Sequence, residues 1–66
     1  MRTKRAIHKA VSALLDSMPQ RMATTRGITA AMKKLGFERE QTLKALADLL
    51  AIGTILKVGP GMWQKT

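Results

Sequence analysis

Residues 24–53 read TTRGITAAMKKLGFEREQTLKALADLLAIG, and their spacing predicts two helices joined by a tight turn at Gly36. In the first, Ile28, Ala31, Met32 and Leu35 recur at intervals of three and four, which is one buried stripe of a helix. Thr24 or Thr25 caps its start, because a hydroxyl accepts a bond from an otherwise unpaired N–H. Gly36 ends it, since glycine takes the left-handed conformation at little cost. Phe37 follows and can fold back under the turn. Glu38 opens the second helix, where the carboxylates of Glu38 and Glu40 suit the positive helix end. Gly53 closes it. Two short helices around a glycine turn match a helix-turn-helix. They match an αα-hairpin of a plain bundle equally well.

The second helix, residues 38–52, is unusually apolar. Thr42, Ala45, Leu46 and Leu49 make one stripe, and Leu43, Ala47 and Leu50 an adjacent one. So wide an arc implies burial on two sides, or one side that meets a partner. Before this stretch, residues 3–18 are the clearest helix of the chain, with Ile7, Ala10, Val11, Leu14, Leu15 and Met18 in helical spacing. Pro19 stops it. His8, the only histidine, has no ligand partners in sequence and reads as surface or packing. Residues 19–23 form a connector that can hold a short strand, with Met22 inward and Arg21 outward. The five methionines read as core filler.

After Gly53, residues 54–58 (TILKV) alternate and are rich in β-branched side chains. Gly59-Pro60-Gly61 is a turn by composition, and residues 62–65 (MWQK) are a second short strand. Three helices followed by a Gly/Pro hairpin is the element order of a winged helix-turn-helix. The fold class expected is therefore α+β, a single domain over residues 1–66 with a three-helix core and a C-terminal two-stranded β-hairpin wing. A plain bundle has no use for the terminal hairpin.

Sixty-six residues with no cysteine must hold together by apolar packing alone, and a chain this short has a marginal core. No apolar run is long enough to span a bilayer. Arg2, Lys4 and Arg5 resemble the start of a signal peptide, but Asp16 and the periodic apolar residues favour a helix. The net charge is +8, a strong polyanion signal for so small a chain. Residues 1–35 hold eight basic residues against Asp16, net +7; residues 36–66 hold four against three acids, net +1.

The part of the chain from residue 24 to residue 65 resembles winged-helix domains and, among them, is similar to the Z-alpha type that binds left-handed nucleic acid. The shared features are Leu35-Gly36, a helix ending in Gly53, a strand, and a P-x-x-W turn at Pro60-Gly61-Met62-Trp63. That family carries an Asn and a Tyr four residues apart on its recognition helix. By spacing these places fall on Leu43 and Ala47, which can neither bond a phosphate nor stack on a base. The family's paired wing prolines become Pro60-Gly61; Arg39 and Trp63 match. The resemblance thus implies the fold and not Z-form specificity.

On a winged helix the third helix enters the major groove and the wing touches backbone or minor groove. The expected function is double-stranded DNA binding by a small transcriptional regulator. Helix 38–52 would lie in the major groove and wing 54–65 on the backbone. Arg39, Gln41, Thr42 and Lys44 are the candidate base readers, Gln41 for adenine and Arg39 for guanine or phosphate. Lys57, Gln64 and Lys65 would serve the wing. Thr24, Thr25 and Arg26 sit at a helix N-terminus that suits a phosphate, with pure capping the rival role of the threonines. Arg5 and Lys9 would add phosphate contacts. Trp63 reads as a lid on the core ahead of a base-stacking ring. A homodimer through Leu43 and Leu50, or through the apolar edge of the first helix, would double the DNA surface.

Catalysis is not expected, because the chain has one His, no acid pair at a plausible pocket and no P-loop. No metal, cofactor, membrane or small-molecule substrate is expected either. The expected place is the cytoplasm, on the nucleoid in a bacterium, or the nucleus in a eukaryote. Two rivals remain: a winged-helix module that meets a protein partner through Leu43, Ala47 and Leu50, and a DNA-binding fragment of a larger initiator or nuclease.

Overall fold

Among the described residues the chain forms three α-helices and a three-stranded antiparallel sheet. The computed structural model describes residues 4–66. Helix α1 spans Lys4–Asp16, a 3-10 turn spans Pro19–Arg21, and β1 spans Met22–Thr24. Helix α2 is Thr25–Lys34, α3 is Arg39–Ala51, and the chain ends in β2, Ile55–Gly59, and β3, Met62–Lys65. The expected start of α1 at Thr3 lies outside the described residues. Its C-terminal end comes earlier than the periodicity suggests, and Met18 is left exposed beyond it.

Each helix of the central pair ends in the same way. Gly36 (φ +94°) and Gly53 (φ +83°) take the left-handed conformation. At the first, Phe37 N–H donates to Met32 O and Gly36 N–H to Lys33 O, both at 3.0 Å. At the second, Thr54 N–H donates to Leu49 O and Gly53 N–H to Leu50 O. This paired pattern satisfies carbonyls that a helix end leaves bare, and only glycine reaches its central conformation without strain. Phe37 does fold back under the turn and is buried. Thr24 is the cap of α2, accepting from Gly27 N–H at 3.0 Å. Glu38 lies just outside α3 as its cap residue, and its N–H donates to Gln41 Oε1 at 2.8 Å.

The core joins Ile7, Val11 and Leu15 of α1 to Ile28 and Met32 of α2 and Ala45, Leu46 and Leu49 of α3, closed by Phe37, Ala23 and Ile55. Helix α3 contributes the stripe its spacing announces; α1 does so without Met18, and α2 without Leu35, which is 52% exposed because it caps the helix just ahead of the Gly36 turn. Among the described residues, which exclude Met1, Met32 is the one methionine in this cluster; Met22 and Met62 are half-buried and Met18 is exposed, so these four are not the general filler expected.

The expected two-stranded hairpin is part of a larger sheet. β2 and β3 pair antiparallel, with Leu56 opposite Gln64 and Lys57 opposite Trp63, and β1 adds to the other side of β3 with Ala23 opposite Trp63. The order is β1-β3-β2. The connector residue that turns inward is Ala23, not Met22, because alternation puts Ala23 on the face of Trp63 and Ile55. The connector is held in a strained form. Gln20 and Arg21 have φ of 58° and 55°, a region non-glycine residues seldom occupy. Gln64 Nε2 ties it to the sheet by donating to Gln20 O at 3.0 Å.

Candidate nucleic-acid interface

Helix α3 is fixed on its inner side by Thr42, Ala45, Leu46 and Leu49. Its outward side carries Arg39, Glu40, Lys44, Ala47 and Ala51, all exposed, with Leu50 partly so. Leu43 packs on the edge of the core. Thr42 is fully buried, and its hydroxyl donates to Glu38 O at 3.2 Å. It belongs to the core stripe and is removed from the candidate base readers. We expect Thr42→Val to alter stability by no more than about 1.5 kcal/mol, which urea unfolding checks. Gln41 remains exposed, but its carbonyl oxygen is used in capping α3, so it has only its amide NH₂ to offer a base edge.

The first turn of α2 meets the hairpin tip. Thr25 N–H donates to Gly61 O at 2.8 Å, and the Thr25 hydroxyl donates to the same carbonyl at 3.3 Å. That hydroxyl also accepts from Trp63 Nε1 at 2.7 Å. Lys57 lies over the Trp63 ring, with Nζ 5.8 Å from the ring centroid, a favourable cation–π arrangement. Arg26 stands exposed one residue along α2. One corner therefore brings together Thr25, Arg26, Lys57 and the hairpin turn. The phosphate cradle expected at Thr24, Thr25 and Arg26 is narrower than the sequence suggests. The Thr25 N–H is spent on Gly61 and the Gly27 N–H on Thr24, so Thr25 acts as a brace and Arg26 is the group left to meet an anion. Trp63 packs on the core as the expected lid, with a bond that spacing could not reveal.

Trp63→Phe should keep the ring packing and lose the bond to Thr25. We expect a coupling between Trp63→Phe and Thr25→Val of about 0.5–1.5 kcal/mol in a double-mutant cycle of urea unfolding, the usual net worth of a hydrogen bond.

The remaining sequence candidates lie elsewhere. Gln64 and Lys65 are at the root of the sheet, away from the hairpin turn: Gln64 holds Gln20, and Lys65 Nζ is 2.6 Å from Asp16 Oδ2. Arg5 and Lys9 are exposed on the side of α1 opposite Ile7, Val11 and Leu15. Between α1 and α3 a groove of about 190 Å³ is lined by Lys4, Ile7, His8, Gln41, Lys44 and Asp48 among others. His8 is not alone there, since its Nε2 lies 3.3 Å from Asp48 Oδ2. Lys4, on this groove, is a basic residue that the sequence reading left out of the candidate site. Only the tertiary approach of α1 to α3 reveals it.

Among the described residues, Lys65 is the one Lys or Arg in an ion pair with a carboxylate. Arg26, Arg39, Lys44 and Lys57 are exposed and have no such partner. Among the same residues, no three His, Asp or Glu groups are placed to hold a metal ion, and no helix is long and apolar enough to cross a membrane. Comparison with protein-family models, with curated proteins and with solved structures finds no match to this chain.

Proposed function

We propose that the protein is a winged helix-turn-helix domain that binds double-stranded DNA as a small transcriptional regulator. In this reading α3 is the recognition helix and the β2–β3 hairpin is the wing. The observation that carries it is the corner where Thr25 clasps Gly61 and Trp63, with exposed, carboxylate-free Arg26 and Lys57 beside it. A wing braced onto the helix before the recognition helix presents its cations in fixed geometry. Fixed geometry lowers the entropy lost on binding a phosphate backbone. Arg39 and Lys44 extend the same chemistry along α3, and Ala47, about one turn beyond Lys44, is small enough to let the helix approach base edges. The bracing strand β1 fits this reading, because it anchors the wing's second strand to the helical core.

Phosphate contacts supply affinity and register, while base contacts supply sequence preference. Selection of bound sequences from a random duplex pool tests the reading. The expected result is an enriched motif. Arg39→Ala and Lys44→Ala should then weaken binding to that motif by about 1–3 kcal/mol where they read bases, and weaken random duplex much less. A pool that yields no retained duplex at low salt would overturn the proposal.

A further inference from the structure

We propose that the open edge of β2 pairs antiparallel with the same strand of a second copy, about a two-fold axis at Leu56. This inference does not depend on the DNA reading.

Among the described residues, the sheet order leaves β2 hydrogen-bonded on one side only. Thr66 N–H donates to Thr54 O at 3.0 Å, and Leu56 lies opposite Gln64 two residues further on. Alternation in an antiparallel ladder therefore turns the main-chain groups of Thr54 and Leu56 toward β3. It leaves those of Ile55 and Lys57 facing outward. Proteins usually guard such an edge with charge, proline or a covering segment. Here the guard is thin. Leu56 is 49% and Val58 45% exposed, and Ile52, just ahead of the strand, is 71% exposed. No charged residue occurs from Leu49 to Leu56.

Two features select a second copy as the occupant. The first is that the edge is self-complementary. A two-fold axis at Leu56 sets Ile55 of each copy opposite Lys57 of the other, and each of these pairs exchanges both N–H···O=C bonds. The two Leu56 side chains then meet in the closer, non-hydrogen-bonded pair. Each Lys57 faces an isoleucine and not the other lysine. The second feature is charge. An acidic partner would be drawn to the faces that carry Lys and Arg, and the Leu49–Leu56 strip offers it nothing. Two chains of net +8 repel; the Leu49–Leu56 strip adds no charge to the contact, and Lys57 is the one cation each copy brings to the paired residues 55–57.

The salt response follows and is opposite to that of DNA binding: screening should strengthen the dimer. Sedimentation equilibrium of the full chain, from tens of micromolar to millimolar, reads it directly. The expected result is a reversible dimer whose fraction rises between low salt and about 1 M, where the screening length is about 3 Å. Lys57→Pro removes an outward N–H and no ladder bond within the chain. Leu56→Asp sets two carboxylates against each other at an exposed position. Both should be monomeric with unchanged circular dichroism. If Lys57→Pro unfolds, Leu56→Asp alone decides. A strict monomer at millimolar concentration and high salt overturns the proposal. So does a dimer that survives Leu56→Asp; if Leu50→Asp breaks that dimer instead, the interface is on α3.

Discussion

Leu46→Ala should lower the stability of the protein by about 2–5 kcal/mol, the range for removing a fully buried leucine side chain. Leu46 is 1% exposed at the middle of α3, where α3 packs on both α1 and α2. The helices around it cannot collapse into the space without breaking one of those contacts. A chain of 66 residues has a total stability of roughly 3–10 kcal/mol at ordinary values per residue. The substitution therefore removes a large share of it, and the variant should be partly unfolded at physiological temperature. Ile52→Ala is the control: Ile52 is 71% exposed, and its loss should change stability by less than about 0.5 kcal/mol. Urea unfolding followed by circular dichroism measures both. Equal effects at the two positions would mean that α3 does not bury the face described.

The second large effect concerns DNA affinity and its salt dependence. Each phosphate neutralised contributes roughly −0.9 to the slope of log K against log salt. The Arg26→Ala/Lys57→Ala variant should thus flatten that slope by about 1.8 and weaken binding to all duplexes alike. Arg5 and Lys9 lie on the far side of α1 from the core. With the duplex on α3 and the hairpin, as proposed, Arg5→Ala/Lys9→Ala should change the slope less than the first pair does. The reverse ranking would move the DNA to α1.

Much of the fold was legible because its signals are local. The stripes Ile7–Val11–Leu15 and Thr42–Leu46–Leu49 follow from helical spacing, and Gly36 and Gly53 mark two helix ends by what glycine alone does cheaply. β1 was less legible. Three residues, Met22 to Thr24, have no period to read, and their strand exists because β3 offers a partner forty residues away. The same limit applied to the candidate site. Spacing puts Thr42 both in the core stripe and among the early residues of α3 that could meet DNA, and only its burial separates the two. Thr25 looked like a cap because a hydroxyl beside a helix start usually is one; its neighbour Thr24 took that place, and Thr25 turned to Trp63 instead. Gln64 and Lys65 looked like wing residues because they follow the turn, yet the register carries them back to Gln20 and Asp16. Charge was visible from composition, but which cations lack a carboxylate needs the fold.

The central claim is that the exposed cations of α2, α3 and the hairpin hold duplex DNA. Fluorescence anisotropy of a labelled random-sequence duplex, titrated with the wild-type protein across a series of salt concentrations, tests it most directly. The account predicts binding at low salt, with a log–log slope of about −3.6 if Arg26, Arg39, Lys44 and Lys57 each neutralise one phosphate. Loss of only the Arg26 and Lys57 contributions is expected in their double variant. No binding at low salt, or binding whose slope is near zero, would contradict it.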